Sequence, residues 1–345
     1  MTRTRPDHET VLDALALACR APSVHNTQPW RWLVGDRSVH LMADPQRRVP
    51  ATDPDGRDLL ISCGGALHHL EVALAAFGWR AVTHLLPNPA EPEHLAAVQA
   101  YPHHTDAEDI ALVTALDDRR TDRRAYSSWA VPTGHLDLMA RRAADFGVVA
   151  VPVTDPVERH QFARAAASAA REQEADPAYT SELAFWAGRG RSTEEGVPAG
   201  AIPARTVDVE GVPMRAFPAG SLAPSPTGEH EQDASVLLVL GTTDDDETAR
   251  LRAGQAASAV LLTATELGLA TCPMSQPLEV PRHRERIRDR FLDGVGHAQL
   301  VVRVGYAPTS APAVPQSPRR PLADVFAYLP GMAPARPRAA GHRPG

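Results

Sequence analysis

Two stretches of this chain carry the same small-residue pattern at one fixed distance. Gly64-x-Ala66 opens an apolar run that ends at Phe77-Gly78, and Gly254-x-Ala256 opens another that ends at Leu267-Gly268. Gly64 and Gly254 are 190 residues apart, and so are Gly78 and Gly268. Apolar residues at helical spacing over this length read as long core helices. A glycine just past the last periodic residue reads as a C-cap. Small residues at the helix starts allow two such helices to pack closely. Three shared residues suggest a duplication and do not by themselves require one.

At 345 residues the chain holds about two domains or one large one. All 35 basic side chains are Arg, and there is no Lys. Mechanisms built on a Schiff-base, P-loop or kinase-type lysine are therefore excluded. The net charge of −7 argues against a broad nucleic-acid-binding face, so any anion site must be a local arginine cluster. Cys19, Cys63 and Cys272 lie far apart with no CxxC, which argues against a zinc site or disulfide framework and suits a reducing cytoplasm. The N-terminus is polar, and no apolar run approaches ~20 residues, so neither a signal peptide nor a membrane span is expected.

Helices are expected at residues 8–20, 58–77, 106–118, 133–146, 155–173 and 253–267. Strands are expected at 30–34, 39–42, 148–153, 235–240 and 298–304. Composition shifts at Pro177–Gln232, which holds 7 Gly and 7 Pro. Such a segment reads as irregular, and Phe185, Trp186, Met214 and Phe217 favour a packed cover over a plain linker. Residues 331–345, rich in Pro and Arg, read as a disordered tail.

Three segments carry candidate chemistry. Ala21-Pro22-Ser23-Val24-His25-Asn26-Thr27-Gln28-Pro29-Trp30 is a stiff, Pro-bracketed turn crowded with donors and acceptors. On pattern alone it is either a ligand-holding loop or a capped turn with Trp30 in the core. Arg119-Arg120-Thr121-Asp122-Arg123-Arg124 offers guanidinium forks that match phosphate oxygens, although charge runs are more often solvated. Gln316-Ser317-Pro318-Arg319-Arg320 is a further anion-friendly stretch.

Together these segments resemble the nitroreductase-like flavoproteins. Residues 21–30 resemble that superfamily's flavin-binding loop, and Arg-Arg-Thr-x-Arg at 119–123 its phosphate motif, with Thr121 in place of Ser. Pro273-Met274-Ser275-Gln276 is similar to its ring-lining segment, and Pro315–Arg320 to its C-terminal phosphate contact. The loop precedes the arginine motif here, and each half of the chain lacks one of the two motifs. That order resembles the Acg type of the superfamily, a fused pseudo-dimer.

The resemblance implies an α+β fold of two nitroreductase-like α/β sandwiches in tandem, 1–104 and 105–330, with an inserted lid at 177–232 and a tail at 331–345. It implies one FMN per chain, held by Ser23, Asn26, Gln28, Arg119, Thr121, Arg123, Pro273, Met274, Ser275, Gln276, Arg319 and Arg320, with NAD(P)H as transient reductant. The flavin N5 would carry the hydride to nitroaromatic or quinone-like acceptors, with no catalytic side chain and no metal. The alternative is an FMN-storing protein whose lid stays shut. The partners expected are small molecules only, with no nucleic acid and no membrane, and the chain is expected to act as a monomer. His68-His69 and His103-His104 read as structural rather than metal-ligating, and Cys272 as a packed thiol. His25 either faces the flavin or caps the turn.

Overall fold

The computed structural model describes residues 4–189, 194–205, 208–209, 212–225 and 232–332. The tail expected at 333–345 lies outside the described residues, as does part of the segment expected to form a lid.

The fold is α+β. The helices are α1 (His8–Ala18), α2 (Arg57–Ala76), α3 (Ala107–Asp118), α4 (Thr133–Ala144), α5 (Pro156–Glu174), α6 (Pro177–Trp186), α7 (Glu247–Glu266), α8 (Gln276–Glu279), α9 (Pro281–Phe291) and α10 (Leu322–Val325). The main strands are β1 (Trp30–Val34), β2 (Val39–Ala43), β3 (Trp79–Leu85), β4 (His94–Pro102), β5 (Val149–Val153), β6 (Val236–Thr242), β7 (Ala270–Met274), β8 (His297–Gly305) and β9 (Phe326–Tyr328). One sheet runs β9-β1-β2-β4-β3 and the other β5-β6-β8-β7. Leaving β9 aside, the two orders match strand for strand, and every neighbouring pair in them is antiparallel. β9 comes from the end of the chain and pairs parallel with β1, Leu33 opposite Ala327.

The first sheet packs through Trp30, Trp32 and Leu41 onto Leu67, Leu70 and Leu74 of α2. Trp30 and Trp32 share a face by strand alternation, while Arg31 between them is exposed. The second sheet is covered on both sides. Leu238, Val302 and Val304 meet Val260 and Leu261 of α7, and Leu237, Val239 and Val301 meet Phe162 of α5 and Ile287 of α9. Burial on both faces explains why β6 reads as an unbroken apolar run.

The two 20-residue helices α2 and α7 cross at the centre of the molecule. Their contact is reciprocal. A Cβ on Gly64 would stand 2.0 Å from the carbonyl oxygen of Leu251, and one on Gly254 would stand 2.0 Å from that of Ile61. Ile61 and Leu251 are again 190 residues apart, as are His68 and Ser258, whose Nδ1 and Oγ lie 2.8 Å from each other. Both helices end where the glycines foretell, at Gly78 (φ +84°) and Gly268 (φ +74°). By length and composition α2 could cross a membrane, but here it is buried inside the protein.

The structure departs from the sequence reading at 177–186. This stretch is helical, with Pro177 in the first turn and Asp176 capping it onto the Ala178 N–H at 2.8 Å. The Gly- and Pro-rich composition of the segment starts only at Gly188, so the helix lies upstream of the breakers. β3 and β4 lack a clear signal because many of their residues are half-exposed, β7 because it is only five residues long, and α9 because it is dominated by Arg and other polar residues, with Ile287 and Phe291 as its buried apolar ones.

The crossing yields a stability test within one helix. Replacing Gly64 by Ala should destabilise by roughly 1–3 kcal/mol or more, because the methyl meets rigid backbone. Gly65→Ala, whose nearest neighbour would be 3.7 Å away, should be neutral or stabilising by up to ~1 kcal/mol from helix propensity. Urea unfolding of both variants checks this, and equal midpoints would contradict the close crossing.

Candidate functional site

The 21–30 loop leaves α1 and holds an unusual backbone. His25, Asn26 and Gln28 all have positive φ, at 47°, 55° and 52°. Non-glycine residues rarely adopt this region, and such strain persists only where surrounding contacts impose it. Those contacts are specific. Ser23 Oγ accepts the Gln28 N–H at 2.9 Å, and the Val24 N–H donates to Ser62 Oγ of α2 at 3.1 Å. Asn26 Nδ2 donates to the carbonyls of Gly196 and Pro318 at 2.9 and 3.1 Å. Gln28 Nε2 donates to Glu194 O at 2.9 Å, and its Oε1 accepts the Arg320 N–H at 2.9 Å. The loop is thus both a capped turn with Trp30 in the core and one wall of a cavity.

That inner cavity encloses about 930 Å³. On α2 it is lined by Asp58, Ile61, Ser62 and Gly65, and on α7 by Gly254, Ala257, Ser258 and Leu261. Each set falls at i, i+3, i+4 and i+7, one face of a helix. Pro273, Met274, Ser275 and Gln276, at the end of β7 and into α8, form another wall, with Ser23 and His25 beside them. Met214, Arg215 and Phe217 come from the inserted segment.

The inner cavity shares Pro22, Ser23, Thr121 and Arg123 with a second compartment of about 1000 Å³, the arginine pocket. Arg20, Arg119, Arg120, Arg123 and Arg319 line it, together with Asn26, Thr121 and Gln316. Arg119, Thr121 and Arg123 face the cavities, while Asp122 and Arg124 pair with each other inside the protein at 2.7 Å. The 119–124 segment is pinned to β7 by the Asp122 N–H donating to Thr271 O at 2.9 Å.

The charge in the arginine pocket is uneven. Burial first, then Arg319, Arg120, Arg20 and Arg123, push Arg119 down to about 9. Burial and then Arg20 push Arg319 down to about 10. The Nε atoms of both have no hydrogen-bond partner among the described residues. Buried, mutually repelling guanidiniums with unpaired N–H groups are complementary to a multiply charged anion such as phosphate.

Of the residues singled out in the sequence, ten line one or other compartment: Ser23, Asn26, Arg119, Thr121, Arg123, Pro273, Met274, Ser275, Gln276 and Arg319. Gln28 and Arg320 line neither. Gln28 is fully buried and ties the loop to the inserted segment and the C-terminal stretch. The Arg320 guanidinium turns toward Asp44 (3.8 Å) and the Asp324 carbonyl (3.1 Å). Sequence reading missed Arg20, Asp58, Arg215 and the α2 and α7 faces. The helix faces had a signal, the i, i+3, i+4, i+7 spacing of small residues. Asp58 and Arg215 had none.

Residues between Tyr179 and Phe217 make several polar and ring contacts beside the inner cavity. Arg215 forms a buried ion pair with Glu279 of α8 and donates to Tyr179 Oη of α6 at 2.6 Å. Arg47 pairs with Glu195, and Glu182 of α6 accepts the Ala51 and Thr52 N–H groups at 3.0 and 2.8 Å. Phe217 lies edge-on to His25 and under the Arg123 guanidinium. Burial, then Arg215 and Arg123, hold His25 well below its ordinary range, so it is neutral. Burial raises the Cys272 thiol, which makes it a poor nucleophile.

A model of the Nitroreductase family matches residues 194–306. "Putative NAD(P)H nitroreductase Rv3131" of Mycobacterium tuberculosis H37Rv is 45% identical over 323 residues, 94% of this chain and 92% of that protein. "Putative NAD(P)H nitroreductase acg" of the same organism is 34% identical over 330 residues, 94% of this chain and 98% of that protein. Among solved structures, the FMN-dependent nitroreductase NfnB from Mycobacterium smegmatis in complex with NADPH aligns with a TM-score of 0.40. It is 17% identical and the match covers 64% of this chain and 98% of that one. The chain belongs to the nitroreductase family, in the branch that includes the acg protein.

The arginine pocket generates a test with a definite sign. A basic group whose pKa falls on folding costs stability wherever the unfolded chain carries the proton. For Arg119 that cost is complete below about 9, hence at neutral pH, and is relieved only as pH rises past it. Arg119→Met should therefore be at least as stable as wild type without anion. Inorganic phosphate should raise the melting temperature of wild type and barely move the variant. A variant clearly less stable than wild type in phosphate-free buffer would contradict the reading.

Proposed function

We propose that the chain binds one FMN and acts as an NAD(P)H-dependent oxidoreductase on small electron-poor acceptors, nitroaromatic or quinone-like. The observation that carries this reading is the continuity of the two compartments through Thr121 and Arg123. Arg119, Thr121, Arg319 and Arg20 would hold the phosphate. Ile61, Leu261, Met274 and Pro273 supply apolar walls for a ring, with Ser62, Ser258 and Gln276 as polar contacts. When bound, FMN supplies reversible hydride acceptance. The chain's own part is to bind, orient and shield. The names of the relatives support the NAD(P)H-linked activity.

We further propose that residues 1–104 and 105–330 are two fused copies of one nitroreductase-like unit, complete as a monomer. The matching strand orders, the reciprocal α2–α7 contact and the crossing of β9 onto the first sheet support this. At the position equivalent to the inner cavity, larger polar side chains support a single site. Gln255 stands where the inner cavity has Gly65, and Glu71 where it has Leu261. Gln255 Nε2 donates to Glu71 at 3.2 Å, and Thr83 of β3 donates to the same carboxylate at 2.6 Å. The buried, free cysteines suit a reducing cytoplasm.

The contacts of the inserted segment favour a second reading, in which it covers the FMN of a store with slow turnover. Anaerobic stopped-flow mixing of the FMN-loaded chain with NADPH or NADH separates the two. An oxidoreductase is bleached at a saturable rate limited by cover opening. A store is bleached slowly or not at all. Arg215→Met combined with Glu279→Gln removes both latch charges and should speed bleaching under either reading. Unchanged kinetics would mean the segment is not a gate. Arg123→Ala should weaken FMN binding at least about tenfold, ~1.4 kcal/mol. Unaltered affinity by fluorescence titration would displace the ligand from this site.

A further inference from the structure

The inner cavity contains one acid whose charge its surroundings do not offset. Three carboxyl groups, Asp53, Asp58 and Glu279, are buried where the N-terminus of α2 meets the inserted segment and α8. Glu279 pairs with Arg215 and accepts from Ser275 Oγ at 2.7 Å. Burial raises Asp53 too, but it accepts the Leu59 N–H at 2.9 Å, and the Asp58 and Arg57 N–H groups also partly support its charge. Arg57, the other nearby cation, is engaged by Asp245 and by Gln299 at 2.7 Å. Asp58 lines the cavity, and its Oδ2 has no hydrogen-bond partner among the described residues. Glu279 has an ion-pair partner and Asp53 has backbone N–H donors, whereas Asp58 Oδ2 has neither among the described residues, so of the three Asp58 is the one set to keep its proton. Burial, then Asp53 and Glu279, hold Asp58 well above the ordinary carboxyl range, outweighing Arg215 and Arg57.

The other titratable groups lining the cavity cannot supply a proton at neutral pH. His25 has none to give, Cys272 holds its own, and Arg123 and Arg215 are guanidiniums. Asp58 is the acid in the wall of this cavity, beside Met214 and Phe217.

Resting on the FMN reading above, we propose that Asp58 is the general acid of the reductive step when the acceptor is quinone-like. Reducing a quinone takes one hydride and one proton. The hydride from reduced FMN forms a bond to one quinone oxygen. The O–H bond of Asp58 breaks, and its proton goes to the other oxygen. The products are a hydroquinone, oxidised FMN and an Asp58 carboxylate, which water reprotonates when the cover opens. The step is available while Asp58 is protonated and is lost as pH rises through its raised pKa.

The test uses the FMN-loaded chain and Asp58→Asn, both reduced by NADPH without oxygen and then mixed with para-benzoquinone or ferricyanide. The quinone step should slow at least tenfold in D58N and lose its alkaline limb. Ferricyanide, which takes electrons without protons, should reoxidise both proteins alike. Independently of turnover, the infrared spectrum of the wild-type chain at neutral pH should show the carbonyl stretch of a buried carboxylic acid, absent from D58N. A wild-type quinone rate in D58N, or no such band, overturns the proposal and leaves the FMN reading intact. A chain that takes up no FMN overturns both. If D58N fails to fold, wild type decides by a solvent deuterium effect on the quinone step that the ferricyanide step lacks. Equal effects overturn the proposal.

Discussion

At the centre of the molecule two helix backbones touch. Gly64 and Gly254 leave no room for a Cβ, because each faces a carbonyl oxygen of the opposite helix. Any larger side chain there would push α2 and α7 apart, and interiors packed at crystal density transmit such a shift rather than absorb it. The sheets are hung on the outer faces of these helices: Trp30, Trp32 and Leu41 against α2, Leu238 and Val302 against α7. The cavity is the flank of the same crossing, floored by Gly65, Gly254, Ala257 and Ser258. Small residues therefore set both the closeness of the helices and the space beside them.

A crossing with two-fold character has two flanks, and the chain treats them differently. On one flank the strained 21–30 loop, the arginine segment and β7 converge, with Met214, Arg215 and Phe217 beside them. On the other, Glu71, Gln255 and Thr83 join in a polar network. The asymmetry shows at the fixed 190-residue offset, where Gln255 matches Gly65 and Glu71 matches Leu261. It concentrates the unbalanced positive charge of Arg119 and Arg319 at one place only.

How much of this is legible in the sequence depends on how local each feature is. The central helices, their glycine ends and the phosphate-type arginine segment are local patterns, and the structure brings ten of the twelve singled-out residues to the two compartments. Gln28 and Arg320 sit in equally suggestive motifs but turn away, because their polar atoms join the loop to segments more than 160 residues distant. Asp58 is invisible for the converse reason. An Asp in the first turn of a helix looks like an ordinary dipole partner, and only the convergence of Asp53, Glu279 and Arg215 from three other segments makes it an isolated acid. The helix at 177–186 was masked by averaging a composition across a boundary that its single proline, at the first position, does not cross.

The central claim is that one flank of the α2–α7 crossing is a flavin site and the other is not. Titrating the FMN-free chain with FMN by calorimetry measures this directly. The account predicts saturation at one FMN per chain, with competition from inorganic phosphate. Two equivalents per chain, or no binding, would contradict it.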